Sequence, residues 1–311
     1  MVHGTMVRSF LLSFSIFATL ILNGCDTGRF TASQSIGLIT RGSAAIAQHW
    51  DVDLVGDGMP GSILQLEGLY ATLPDDEQVG LELLRAYVSY GQGWVEPSAE
   101  EAEARGDLDG ARELFVRARL LYLRARNIGL HHLRLRDEQI DARIRQGGDS
   151  FDHYLAERYT SREDVPFLLW TGYAWGSAIN VSREDPELVL DLTTVKSFVE
   201  RAVVLDETYF EYGGLTFLGA IASATPESSG GDPARGREFF ERALAGTSRT
   251  FFTVQLQYAR SYAVTTGDRA LFIRLLREII DGGDPRPEVR LANRIARRSA
   301  IRLLRRVDEF F

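Results

Sequence analysis

From Pro60 to the C-terminus apolar side chains recur every three or four residues, and alternating apolar and polar runs of strand type are nearly absent. The pattern predicts an all-α chain. Pro60, Pro74, Pro166 and Pro233 each stand just ahead of such a periodic run, where a residue without an N–H costs a helix least. Glycine pairs at 147–148, 213–214, 230–231 and 282–283 supply breaks, so helix is expected to follow helix through short turns. The stretch from Phe167 to Val181 is apolar nearly all round a helical wheel and must be buried on several sides. Residues 26–57 are rich in Gly, Ser, Thr and Asp, with one amphipathic stretch at Ser35–Trp50, and read as a tether followed by a short helix.

Four segments share one pattern: GDLDGARELFVRARLL from Gly106, DLTTVKSFVERAVVLD from Asp191, GDPARGREFFERALAG from Gly231 and GDRALFIRLLREIIDG from Gly267. They resemble the second helix of a tetratricopeptide repeat, where two small residues seven apart pack against the neighbouring helix. Ala111 and Ala118 take those places in the first segment, Val195 and Ala202 in the second, and Gly236 and Ala243 in the third. The fourth departs, with Phe272 and Ile279. The second of the paired positions recurs after 84, 41 and 36 residues, near the nominal period of about 34 only at the C-terminal end. The expectation is a compact solenoid of stacked helical hairpins of degenerate tetratricopeptide type, a class whose concave surface usually binds something.

At the N-terminus Arg8 precedes an apolar run, Phe10–Leu22, that ends in LNGC. The run is shorter than the roughly 20 residues a spanning helix needs, and suits the core of a signal peptide. Leu22, Gly24 and Cys25 resemble the lipobox of bacterial lipoproteins, with Asn23 a less usual occupant of the middle position. The division expected is a lipoprotein signal peptide at 1–24, a lipidated Cys25 with tether and short helix at 25–57, and a helical domain at 58–311.

Composition then narrows the chemistry. A formal charge of −8 disfavours nucleic acid as a partner. Cys25 is the one cysteine among 311 residues, which rules out an intramolecular disulfide and a cysteine-based zinc cluster. No nucleophile elbow, phosphate loop, dinucleotide fingerprint or metalloprotease helix is present. His131 and His132 are adjacent, so they diverge by about 100° on a helix and are misplaced for one metal. No catalytic residue, metal or cofactor is assigned, and the chain is read as a non-enzyme. Glu100, Glu101 and Glu103 read as a solvated face.

Two features carry candidate binding chemistry. The aromatic residues Tyr90, Trp94, Trp170, Tyr173 and Trp175 sit on predicted first helices of hairpins. They read either as core, which aromatics dominate in any fold, or as the lining of a ligand channel. Arg112, Arg119 and Arg126 recur every seven residues, and Arg290, Arg294, Arg297, Arg298, Arg302, Arg305 and Arg306 load the last helix. They read either as an anionic contact surface or as solvated helix faces paired at three- and four-residue spacing with acids such as Glu113, Asp308 and Glu309. All 35 basic residues but Lys196 are arginine, which reads either as the bias of a GC-rich genome or as a choice of the side chain suited to bidentate carboxylate pairs.

The lipobox, GLYATLPDDEQVGLELLRAYVSYGQGWVE, ARELFVRARLLYLRARNIGL, LLWTGYAWGSAINVSREDPELVLDLTTVKSFVERAVVLDETYFEYGGLTFLGA, GGDPARGREFFERAL and the closing RLANRIARRSAIRLLRRVDEFF together resemble the TatT family. These are tetratricopeptide-repeat lipoproteins associated with TRAP (tripartite ATP-independent periplasmic) transporters. The resemblance covers about residues 35–311 in order, and departs from the family in the Arg-rich stretch 134–158 and in Gly236 where alanine is usual. It implies a homotrimeric protein held by its lipid at the inner or outer membrane of a bacterial envelope, on the periplasmic side. A channel through the repeat layer, a TRAP solute-binding protein as partner, and a role in uptake of a small organic acid or other apolar ligand are implied with it. The alternative reading is a generic envelope protein–protein scaffold with no small-molecule role. Replacing Cys25→Ser is expected to move the folded protein from the membrane to the soluble fraction, as fractionation and immunoblotting would read; retention on the membrane would refute the lipobox.

Overall fold

A computed structural model describes residues 27–182, 185–225 and 230–311, and among these every regular element is helical. Cys25, Leu22 and Gly24 lie outside the described residues. Two helices, α1 (Thr27–Ala47) and α2 (Val52–Thr72), lead in. The first hairpin pairs α5 (Leu108–Arg136) with a long composite helix: α3 (Glu77–Tyr90) passes through a π turn at Gly91–Val95 into α4 (Glu96–Ala104). After the short helices α6 (Ile140–Gln146) and α7 (Gly148–Arg158), the second hairpin pairs α8 (Val165–Asn180) with α10 (Leu192–Leu205) across α9 (Pro186–Leu190). The third is α11 (Tyr209–Ala224) with α12 (Pro233–Gly246). The fourth joins α13 (Thr253–Tyr258), extended by a second π turn at Ala259–Ala263, to α14 (Arg269–Asp281). Helix α15 (Arg290–Arg305) closes the chain.

The four segments sharing one sequence pattern are the second helices of these four hairpins, and the recurrent Gly-Asp dipeptide explains their starts. Gly106 and Gly267 take φ of +79° and +68°, a left-handed turn that glycine adopts without strain. The aspartate that follows caps the next helix: Asp107, Asp232 and Asp268 accept from the backbone N–H of Gly110, Arg235 and Leu271 at 3.0, 3.0 and 2.9 Å. Each cap contributes about 1 kcal/mol. Ala111, Ala118, Ala202, Gly236 and Ala243 are all buried. A methyl group on Gly236 would collide with Ser223 of the partner helix α11, so glycine there permits a closer approach than the alanine usual at that place.

Consecutive hairpins stack, α5 on α8, α10 on α11 and α12 on α13. Their interior forms two hydrophobic clusters, one drawn from α2 to α10 together with Leu218 and Leu291 and the other from α11 to α15, with Val203 and Phe239 packed against both. Helix α15 then returns to the start of the chain. Arg298 grips the Asp53 carboxylate with both terminal nitrogens at 2.7 and 2.9 Å, and Arg290 and Arg294 donate to the carbonyls of Gln48 and Trp50.

The expected tether is helical from Thr27. Helix α2 begins at Val52, capped by Asp51 at 3.1 and 3.0 Å to Asp53 and Leu54, and Pro60 lies inside it. The cap and the buried face of Val52, Val55, Met59 and Ile63 outweigh the one backbone bond that Pro60 removes. Gly213 and Gly214 do not break α11 either; the break lies just before them, in the three residues Phe210–Tyr212.

His132 has no metal-type surroundings. It is 1% exposed, stacks on Phe167 at 4.5 Å between centroids, fills a notch at Gly80, and finds no hydrogen-bond partner for either ring nitrogen. Burial, with a smaller push from His131, lowers its pKa from 6.5 to about 4. The unfolded chain therefore takes up this proton first, and stability falls as pH drops from about 6.5 towards 4. His132→Leu is expected to shrink the loss of stability between pH 7 and pH 5, measured as the shift in urea midpoint at the two pH values; an unchanged shift would exclude a buried neutral histidine.

Candidate functional site

The GQGWV sequence puts two glycines around Gln92 in the composite first helix, and the chain there makes a π turn, a form that recurs at functional positions. Gly91 is needed for a neighbour: a methyl group on it would lie 2.5 Å from Tyr122 Cε1 of α5. Beyond the turn, Gln92, Glu96 and Glu100 follow at four-residue spacing and each meets a different inward partner. The Gln92 amide donates to Ser177 Oγ of α8 at 3.0 Å. The fully buried Tyr122 donates its hydroxyl to the Glu96 carboxylate. Glu100 accepts from Arg260, which stands on the second π turn 160 residues away. The second π turn thus meets α4, the helix that follows the first, through a polar seam.

Electrostatics along the seam keeps the phenols protonated. Burial first and the Glu96 carboxylate second push Tyr122 well above the usual phenol range. Tyr173, buried beside the same seam, is pushed up to about 12. Both hydroxyls are therefore donors at any physiological pH.

The aromatic candidates surround this seam as packed side chains. Trp170 and Tyr173 stand 5.6 Å apart and continue through Phe210 (4.4 Å from Trp170) and Phe217 (4.9 Å from Tyr173). Tyr90 stacks on Trp94 at 6.2 Å, and the Trp94 indole seats on Gly56 and donates to the Val52 carbonyl at 3.1 Å. Trp175 turns to the other side of α8, donating to Asp191 at 3.1 Å under the Arg126 guanidinium, 4.9 Å from the ring centroid. The structure therefore brings Trp170 and Tyr173 together, with Tyr90 and Trp94 as a second pair and Trp175 apart.

Phe210 enters this layer from an unusual backbone. Phe210, Glu211 and Tyr212 have φ of 51°, 55° and 58°, three consecutive left-handed residues, none of them glycine. Such a conformation costs roughly 1–2 kcal/mol per residue and persists where the surroundings fix it. Each of the three is held: Phe210 lies against Trp170 and Phe251, Tyr212 occupies a notch at Gly246, and Glu211 accepts a bidentate pair from Arg286 at 2.7 and 2.6 Å.

A cleft of about 230 Å³ opens at the outer end of the seam, between α4 and α15, with Glu100 and Arg302 in its wall. Glu100 was expected on a solvated face together with Glu101 and Glu103. The structure corrects this for Glu100, whose side chain is 21% exposed and sits between Arg260 and Arg302.

The arginine stripes are mostly paired, some with neighbouring acids and some with acids from distant segments. Arg119 meets Asp185, Arg298 meets Asp53, and Arg290 and Arg294 share Asp284. Of the local acids expected, Glu309 pairs with Arg306, whereas Arg112 takes Asp109 rather than Glu113, and Asp308 pairs with Arg269. Arg124–Glu67 and Arg249–Glu278, outside the stripes, are bidentate. Sequence reasoning missed Glu96, Tyr122, Arg260 and the left-handed turn. The one visible signal was the glycine pair flanking Gln92.

Comparison with known proteins places these features in a family. Residues 48–311 match the model of the TRAP transporter T-component. An uncharacterised protein of Treponema pallidum (strain Nichols) is 25% identical over 262 residues, which is 84% of this chain and 80% of the relative. The chain belongs to the TRAP transporter T-component family.

The left-handed turn gives a sharp test. In an ordinary helix alanine is more stabilising than glycine by about 1 kcal/mol. At position 211 the order should reverse: Glu211→Gly relieves the left-handed strain while Glu211→Ala keeps it, and both lose the Arg286 pair. Urea denaturation is expected to find the glycine variant more stable than the alanine variant by about 1 kcal/mol; the usual order would refute the turn.

Proposed function

We propose that this T-component family member is a lipid-anchored protein of the bacterial envelope that partners the solute-binding protein of a TRAP-type transporter and assists uptake of an organic acid or other apolar ligand. The observation that carries the reading is the family match over residues 48–311, nearly the whole helical stack. Attachment through Cys25, exposure on the periplasmic side and assembly as a homotrimer belong to the same reading. A lipid-held stack searches a thin layer above the membrane, where a permease stands and a soluble carrier arrives, and so gains effective concentration without a new contact. No described helix is long and apolar enough to cross a membrane. No enzymatic role is assigned.

In this reading Trp170 and Tyr173, the separate pair Tyr90 and Trp94, and Trp175 on the other side of α8 supply apolar surface, and the seam of Gln92, Glu96 and Glu100 supplies polar groups. An apolar lining with few convergent polar groups is what small-molecule sites are made of. One observation favours the scaffold alternative: all five aromatic candidates have packing or hydrogen-bond partners within the fold, as a filled core requires.

Size-exclusion chromatography with light scattering, run on this protein mixed with the purified solute-binding protein of a TRAP system from the same genome, separates the readings. A defined complex that loads or unloads a bound organic acid is expected; no complex, and no transfer of ligand, would leave the scaffold reading.

A further inference from the structure

Arg302 is the most buried of the arginines that stand near a carboxylate, with 19% of its side chain exposed. Its two carboxylate contacts are both long, 3.4 Å to Glu101 and 3.9 Å to Glu100. Its one hydrogen bond runs to Ser299 Oγ at 3.1 Å. Comparable arginines behave differently: Arg124 and Arg286 each hold one carboxylate through two bonds of 2.6–2.8 Å. A guanidinium carries five donors and is expensive to bury with its fork unused. Glu100 does not fill that fork because Arg260 draws it to the other side.

The cleft beside Arg302 is positive. Four arginines and two glutamates line it, a net of +2 on a chain whose formal charge is −8. Arg306 is occupied by Glu309, but among the described residues no carboxylate lies within ion-pair distance of Arg105 or Arg305 at the rim. Ala104, Leu303 and the aliphatic stems of the arginines provide an apolar wall. The cleft offers about 230 Å³, room for a small organic molecule.

We propose that the cleft between α4 and α15 binds a small aliphatic carboxylate of about four to six carbons, its carboxylate taken by the Arg302 fork with Arg105 and Arg305 closing over it and its chain lying on Leu303 and Ala104. The fork takes a carboxylate through two parallel bonds, and the apolar wall of Leu303 and Ala104 selects for an aliphatic body over an inorganic ion such as phosphate. The proposal deepens the ligand-handling reading and rests on it for its biological meaning, while the binding itself is measured without any partner protein.

Isothermal titration of the purified protein with hexanoate, hexanamide and inorganic phosphate tests it. Hexanoate is expected to bind, with hexanamide weaker by about tenfold or more because the fork is then left unpaired. Arg302→Gln should weaken hexanoate by about tenfold and Arg302→Lys by less. Arg305→Gln, at a rim position without an internal partner, should weaken it about threefold and leave the melting temperature unchanged. Absence of hexanoate binding, equal binding of hexanamide, preference for phosphate, or hexanoate affinity unchanged in Arg302→Gln and Arg305→Gln would each overturn the proposal. If hexanoate binds in a manner indifferent to these variants while the solute-binding protein still associates, the cleft fails and the transporter reading stands.

Discussion

Rings seated in glycine notches set the distances on which the rest of this fold depends. Trp94 lies on Gly56, Phe217 on Gly176, Tyr212 on Gly246 and Tyr122 on Gly91, and a methyl group at any of these glycines would meet the ring at 2.5 Å or less. Glycine inside a helix costs about 1 kcal/mol relative to alanine. Each such site recovers more, because an aromatic side chain buries 150–250 Å² when the backbone lets it lie flat. The Tyr122 notch also places a hydroxyl on Glu96, so the close approach of α3 and α5 produces the polar seam as a by-product of packing.

With the seam in place, charge has to be satisfied inside a part-buried interface. Arg260 and Glu100 come from the fourth and first hairpins, and removing Glu100 would take from Arg260 its carboxylate partner. Truncating one partner of such a pair costs more than replacing both with apolar groups of similar volume. The same logic makes arginine the fitting basic residue at these pairs. Lysine, a point charge with a strongly hydrated head, would not hold two acceptor oxygens in a fixed plane as Arg124, Arg249 and Arg286 do.

The stacked hairpins were legible because their determinants are local. Three- and four-residue periodicity marks each helix, and Gly-Asp sets the start of three second helices, so the all-α stack follows from neighbouring residues alone. The family resemblance extended this to most of the chain, and the family match covers the same span from residue 48. Pairing was the part that local sequence hid. Arg298 and Asp53 are 245 positions apart, and Glu100 reads as one of a run of surface acids until α15 and the second π turn come over it. The left-handed turn was hidden for another reason. Phe, Glu and Tyr all disfavour that region, so only the surrounding contacts, Trp170, Arg286 and the Gly246 notch, reveal why the chain accepts it. The two π turns likewise carry no composition of their own beyond the glycines at 91 and 93.

Closure of the chain end upon its beginning connects these parts. Helix α15 brings Arg302 to the outer end of the seam, opposite Glu100 and Glu101 of the first hairpin, and Arg298 pins that arrangement to Asp53. Glu100 is then shared between a guanidinium facing the cleft and one facing the interior. An anion seated on Arg302 would leave Glu100 to Arg260 alone, and the exchange would favour binding only by the difference between a long shared contact and a short bidentate one. That difference is small beside the contacts that hold the hairpins, so the cleft is suited to reversible occupancy while the stack around it stays fixed.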